Sequence, residues 1–143
     1  SLRPVTVAQL RKASQMHSEA DWMVDGNPIG QITIVGEMYS QKVYNTNRNF
    51  GIDDGTGRMD AKMWIDTPNE RQEEIWRGIN HKDEHIYVRV TGALKTHNGK
   101  KHIHASNIRL VKDSNEVYFH LLEVISVHIT LQKGLVCVTT SLS

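Results

Sequence analysis

The segment Met59–Asp66, MDAKMWID, alternates with period two, placing Ala61, Met63 and Ile65 on one face of a strand and Asp60, Lys62, Trp64 and Asp66 on the other. Its largest apolar side chain, Trp64, falls on the polar face, beside a lysine. The same alternation marks four further strands. After the turn punctuation GNPIG, Gly26 to Gly30, the run QITIVGEMY sets Ile32, Ile34 and Gly36 against Thr33, Val35 and Glu37. Phe50 and Ile52 stand two apart, and the Asp54-Gly55 and Thr56-Gly57 signals lead from them into MDAKMWID, so the second and third strands form a hairpin. Ile86, Val88, Val90 and Leu94 point inward along a fourth strand, and Asn98-Gly99 turns it into the fifth, KKHIHASNIRLV. The charged stretch between the hairpins, from Thr67-Pro68 to His85, predicts a loop with a short helical piece.

Helical spacing appears at both ends. Val7, Leu10 and Ala13 follow Thr6, which predicts a short capped helix with a narrow apolar side, suited to act as a lid. Asp113 followed by Glu116 reads as a capping box, and Gly134 as a stop, for a helix of about five turns over Asp113–Lys133. Its apolar positions are Val117, Leu121, Val124 and Ile125, with His128 or Ile129. Leu122, Val127 and Leu131 widen the stripe beyond the roughly 100° that one surface requires. This breadth predicts a helix buried among several others, with Leu121, Val124 and Ile125 toward one neighbour and Val117, Leu122 and Ile129 toward another. The ending LVCVTTSLS reads as strand-like or frayed.

Five strands in this order, a connector after the third and flanking helices match a mainly β chain. The expected fold is a five-stranded Greek-key OB-fold barrel with a short N-terminal helix and a long C-terminal helix. An SH3-like barrel with an added helix has the same strand count. The expected organisation is a barrel over residues 1–112, an oligomerisation helix over 113–133 and a tail of unassigned role over 134–143.

Charge and composition narrow the function. A net charge of +1, from 17 basic and 16 acidic residues, provides no global basic field, so any nucleic-acid site must be local. The single cysteine, Cys137, excludes an internal disulfide and a cysteine-based zinc cluster, and it fits a reducing compartment. No run of 18 apolar residues and no signal-peptide pattern occur, so a soluble chain without membrane partners is expected. There is no Gly-rich phosphate loop, nucleophile elbow or compelling carboxylate pair, since Asp53 and Asp54 sit in a turn where aspartate is expected, so neither an enzyme nor a cofactor is expected. His102 with His104, and His81 with His85, have ligand-like spacing but no evident third ligand, which favours hydrogen-bonded surface histidines over a metal site.

Oligonucleotides lie across the second and third strands of an OB-fold. There Trp64 would offer a stacking face, at roughly 1–3 kcal/mol per base. Lys62 on the same face could take a phosphate, and Asn47 and Arg48, in the loop entering the second strand, could add backbone contacts. The densest basic segment, Leu94–His104, would gather Lys95, His97, Lys100 and Lys101 into a local positive patch around the hairpin tip. The alternatives are a Trp64 packed under the connector or first helix, and lysines that only guard a strand edge.

ITIVG, IDDGTG, MDAKMWIDT and HLLEVISVHITL, in that order, resemble the central OB domain and following helix of the middle (32 kDa class) subunit of replication protein A. That complex is the eukaryotic single-stranded DNA-binding heterotrimer, and the resemblance spans Val5 to Lys133. It implies a nuclear protein of DNA replication, repair and recombination. It also implies a helix that joins one helix from the large and one from the small subunit in a three-helix bundle. Trp64 matches the family's stacking aromatic on the third strand. The second platform, usually a phenylalanine, corresponds to His97, which offers less stacking area. The alternative is the OB-fold assembly subunit of a telomere-capping trimer, with little direct DNA contact.

Overall fold

The structure, a computed structural model, describes residues 2–65 and 86–142. The expected helical piece after Pro68 and the His81–His85 pair lie outside the described residues. Five long strands form the barrel: β4 (Ile32–Val43), β5 (Asn47–Asp53), β6 (Arg58–Trp64), β7 (Tyr87–His97) and β8 (Lys100–Leu110). They hydrogen-bond in the order β4-β5-β6-β8-β7, and β7 pairs back onto β4, which closes the sheet. Only β6 and β8 run parallel among these five, as an OB-fold requires.

The inward positions match the alternation read from sequence. Ile32, Ile34, Phe50, Ile52, Met59, Ala61, Met63, Val88, Val90, Leu94, Ile103 and Ile108 are all buried. Fully burying an aliphatic side chain of this kind contributes roughly 1.5–3 kcal/mol. Asn98 and Gly99, with φ of 53° and 78°, make the tight turn between β7 and β8. β4 bends at a register shift between Tyr39 and Lys42, where Ser40 takes φ of 51°. Gly92 sits at a second register shift, between Thr91 and Gly92, where a Cβ would run into the His104 carbonyl.

Three short strands were not legible from periodicity. β1 (Arg3–Pro4) pairs parallel with the start of β4. β2 (Trp22–Val24) and β3 (Asn27–Ile29) form a hairpin turned by Asp25 and Gly26, both with positive φ, so part of the expected GNPIG turn is a strand.

Helix α1 (Val7–Lys12) covers one end of the barrel with Val7 and Leu10 fully buried. Thr6 and Gln9 form its capping box. Its remaining free donors are met by the β5–β6 turn: Val7 N–H donates to Asp54 Oδ2 at 2.8 Å and Ala8 N–H to Thr56 Oγ1 at 3.0 Å. At the other end of α1 the Lys101 ammonium donates to the carbonyls of Leu10, Arg11 and Ala13 at 3.2, 2.7 and 2.7 Å.

Helix α2 spans Asn115–Leu142, so it continues through Gly134. The expected stop at Gly134 and the strand-like tail are therefore corrected: a glycine lowers helix propensity by about 1 kcal/mol but does not break hydrogen bonding. The expected capping box is not made: Glu116 N–H donates to the Asp113 backbone carbonyl at 3.0 Å, not to its side chain. Asp113 Oδ1 accepts from Asn115 N–H at 2.9 Å, but the Glu116 carboxylate turns to the barrel, where it accepts from Arg89 Nε at 2.7 Å and from Arg109 at 3.0 and 2.5 Å. Two guanidinium groups outcompete one backbone amide for that carboxylate. Arg109 and Arg89 hold the Glu116 carboxyl below its ordinary pKa, against the opposing effect of burial. Farther along, His120 is 1% exposed and its Nε2 meets the Val5 carbonyl at 3.0 Å. A carbonyl only accepts, so Nε2–H is the donor, and burial lowers the His120 pKa. Among the described residues no helix is long and apolar enough to cross a membrane.

Candidate nucleic-acid interface

The outer face of the β5–β6 pair sets Asn47 opposite Trp64, Asn49 opposite Lys62 and Gly51 opposite Asp60. β8 runs beside β6 with His104 next to Lys62, and the β7–β8 hairpin continues the face with Lys95 opposite His102 and His97 opposite Lys100. All of these residues except Asn47 line a groove of about 730 Å³. Trp64 is 47% exposed at its edge, and the Lys62 ammonium lies 5.5 Å from the ring centroid. The odd-faced tryptophan of MDAKMWID is thus on the outer face and half-exposed; its expected alternative packing under the connector lies outside the described residues.

Closeness to the backbone matters on the groove floor. Gly51 lies beneath the Tyr39 ring, which would collide with any Cβ there, and the Arg58 guanidinium lies 4.9 Å above that ring. Lys100, at the rim, pairs with Asp60 at 3.1 Å. Burial lowers the His102 pKa, and Lys62, His104, His97 and Lys95 lower it further by repulsion.

The structure brings together Trp64, Lys62, Lys95, His97 and Lys100 around the groove and places Asn47, Arg48 and Lys101 differently from the expectation. Asn47 and Arg48 are in β5 itself, not in a loop. Asn47 shares the outer face with Trp64, while Arg48 has the inward parity of Phe50 and pairs with Met63. Lys101 borders the groove, but its inward parity, shared with Ile103, sends the ammonium to the α1 carbonyls and to 5.4 Å from the Trp22 ring. Sequence reasoning missed Tyr44 and Lys42, which also line the groove; Tyr44 is 49% exposed. An aromatic in the polar loop VYNTN, next to a binding strand, was the available signal. Among the described residues no group of three potential metal ligands gathers.

α2 carries a second surface. The expected partner-binding residues divide between two faces. Val124 is buried, Val117 and Leu121 are half-buried, and His128 Nδ1 approaches Asp25 Oδ2 at 3.4 Å. Val124 thus faces this chain's own α1 and β2–β3 turn, a correction to its assignment as a partner contact, while the partly exposed His128 and Ile125 line the same cleft. Leu122, Ile125 and Ile129 are exposed, together with Tyr118 and Phe119, which sequence reasoning did not single out. Tyr118, Leu122, Ile125 and Ile129 recur at spacings of four, three and four and form an exposed apolar stripe along one side of α2.

No protein-family model matches the chain. Replication factor A protein 2 of Schizosaccharomyces pombe is 40% identical over 130 residues, 90% of this chain and 43% of that protein. The replication protein A 32 kDa subunit of Xenopus tropicalis is 33% identical over 129 residues, 90% of this chain and 44% of that protein. The chain therefore spans less than half the length of these relatives. A chain in the structure of a replication protein A heterotrimer bound to single-stranded DNA superposes with a TM-score of 0.77 at 33% identity, covering 91% of this chain and 97% of that one. A chain of the S. pombe Stn1–Ten1 complex gives 0.75 at 17% identity, covering 92% and 93%, a likeness of fold alone. Sequence and structure agree over the barrel and its helix together, and this chain belongs to the replication protein A 32 kDa subunit family.

Proposed function

We propose that the chain is a non-catalytic, single-stranded DNA-binding subunit of a replication protein A complex, acting in the nucleus in DNA replication, repair and recombination. The observation that carries this reading is the half-exposed Trp64 at the edge of a groove lined by Lys62, Lys95 and Lys100. A base stacks on the ring, sequence-tolerantly, and the ammonium groups take flanking phosphates. The proposed partners are the large and small subunits, each contributing one helix to a three-helix bundle on the Tyr118–Ile129 seam. A helix with one face docked on its own barrel and an apolar seam left open supports that assembly. One tryptophan and a net charge of +1 give modest affinity, so tight binding relies on linked neighbouring sites.

Trp64→Ala tests the groove. It should weaken binding to a single-stranded oligonucleotide by roughly 1–3 kcal/mol, leave the melting temperature nearly unchanged and leave any weak duplex binding alone. A variant that melts early yet binds normally when folded would return Trp64 to the core. The reading as a telomere-capping assembly subunit predicts no loss of binding in that variant, because its groove touches DNA little.

A further inference from the structure

The groove that carries Trp64 is also lined by three imidazoles. His97 lies at the tip of the β7–β8 hairpin, and His102 and His104 alternate along β8, so both rings lie on its outer face. His104 stands beside Lys62 of β6, and His102 stands opposite Lys95 of β7. Lys42 of β4 and Lys100 of β8 complete the cationic surround. Asp60 is the only carboxylate among the described residues lining the groove, and it is already paired with Lys100.

Without a bound anion, the setting of His102 opposes its protonation. Burial and the surrounding cations keep His102 neutral near pH 7. A bound polyanion reverses the sign of that field: each phosphate oxygen near an imidazole favours the charged ring, which then donates from both nitrogens. Resting on the reading of this groove as a single-stranded DNA site, we infer that His102 and His104 are phosphate-binding residues that become protonated as the strand enters, so that binding takes up protons. Linkage sets the size. Between its free and bound pKa, each such proton lowers affinity by at most about ten-fold for every unit that pH rises.

The test is calorimetric titration of the chain with an oligothymidylate, whose bases do not titrate near neutrality, at fixed salt. Two buffers of different ionisation enthalpy are compared at pH 6, 7 and 8.5. The expected result is net proton uptake at the lower two pH values that vanishes at pH 8.5, with affinity falling as pH rises. His102→Asn with His104→Asn should remove the uptake, while His17→Asn, in an exposed loop away from the groove, should keep it. Equal heats in the two buffers while binding persists would overturn the inference, as would undiminished uptake in the double variant. Ring NMR of the unsubstituted chain gives an independent answer: the His102 and His104 signals must titrate at higher pH with the oligonucleotide bound, and unshifted titrations overturn the proposal. No binding at any pH would instead bring down the groove reading itself.

Discussion

Lys101 was expected among the DNA-binding lysines, and its geometry gives it another task that one substitution can separate. Lys101→Met keeps the aliphatic stem against Trp22 and removes the ammonium that donates to Leu10, Arg11 and Ala13. A hydrogen bond from a charged donor contributes about 1.5–3 kcal/mol. The three share one ammonium, and the Arg11 carbonyl is exposed enough for water to replace the lost partner. The bonds therefore do not add in full, and the expected loss is about 2–3 kcal/mol, or roughly 4–12 °C in melting temperature for a domain of this size. Lys100→Met is the comparison. Its ion pair with Asp60 is solvent-exposed on both sides, so stability should change by less than about 1 kcal/mol. The DNA readout should reverse the ranking: Lys100→Met flattens the log-log salt dependence of binding by about 0.7 for one lost phosphate contact, and Lys101→Met leaves the slope unchanged. Thermal melting followed by circular dichroism, with binding at three salt concentrations, measures both. If Lys101→Met melts with the parent protein and flattens the salt slope, the ammonium serves the strand and not the helix, and the reasoning fails.

Leu122→Glu combined with Ile125→Glu puts two carboxylates into the exposed seam of α2 while sparing Val124 and His120. Coexpressed with the large and small subunits, this variant should elute from size-exclusion chromatography as a free, folded barrel; an intact trimer would refute the bundle. Glu116 sets an acid limit. Arg109 and Arg89 depress its folded pKa below the ordinary 4.5, so the stabilisation is complete above that value and is lost as pH falls through the folded pKa. Urea midpoints should therefore drop more between pH 7 and pH 3.5 in the parent than in Glu116→Gln, which should already be less stable at pH 7.

Most of the barrel was legible in the sequence because its signals are local. Period two places Ile34, Ile52, Met63 and Val90 inward without knowledge of their partners. The turn pairs Asp54-Gly55 and Asn98-Gly99 mark both hairpins, and Thr6 marks the start of α1. What could not be read depends on distant segments. β1 is two residues long and exists through its pairing with β4. The outer positions Thr33 and Val35 are buried although they alternate with the core, because α2 packs beside β1 and β4 and Arg89 donates to Thr33 Oγ1. Trp64 announced itself by breaking a pattern, whereas Lys101 looked like its neighbour Lys100 and differed only in strand parity. On α2 the total breadth of the apolar stripe was readable, but which side met the barrel was not. That choice is fixed by His120 reaching Val5 and by Glu116 reaching Arg89, contacts across 115 and 27 residues.

The ties at the two ends of α1 also fix when it can form. A helix of six residues is far below the length that holds in water on its own, so α1 depends on its caps. Its N-terminal caps, Asp54 and Thr56, lie 47 and 48 residues downstream of the amides they accept from, and its C-terminal cap, Lys101, lies 88 to 91 residues downstream of the carbonyls it serves. During synthesis, then, α1 emerges ahead of the barrel strands yet becomes stable only after them. Until β8 has left the ribosome and closed the sheet, Val7 and Leu10 have no finished barrel end to cover, and they stay exposed as apolar surface.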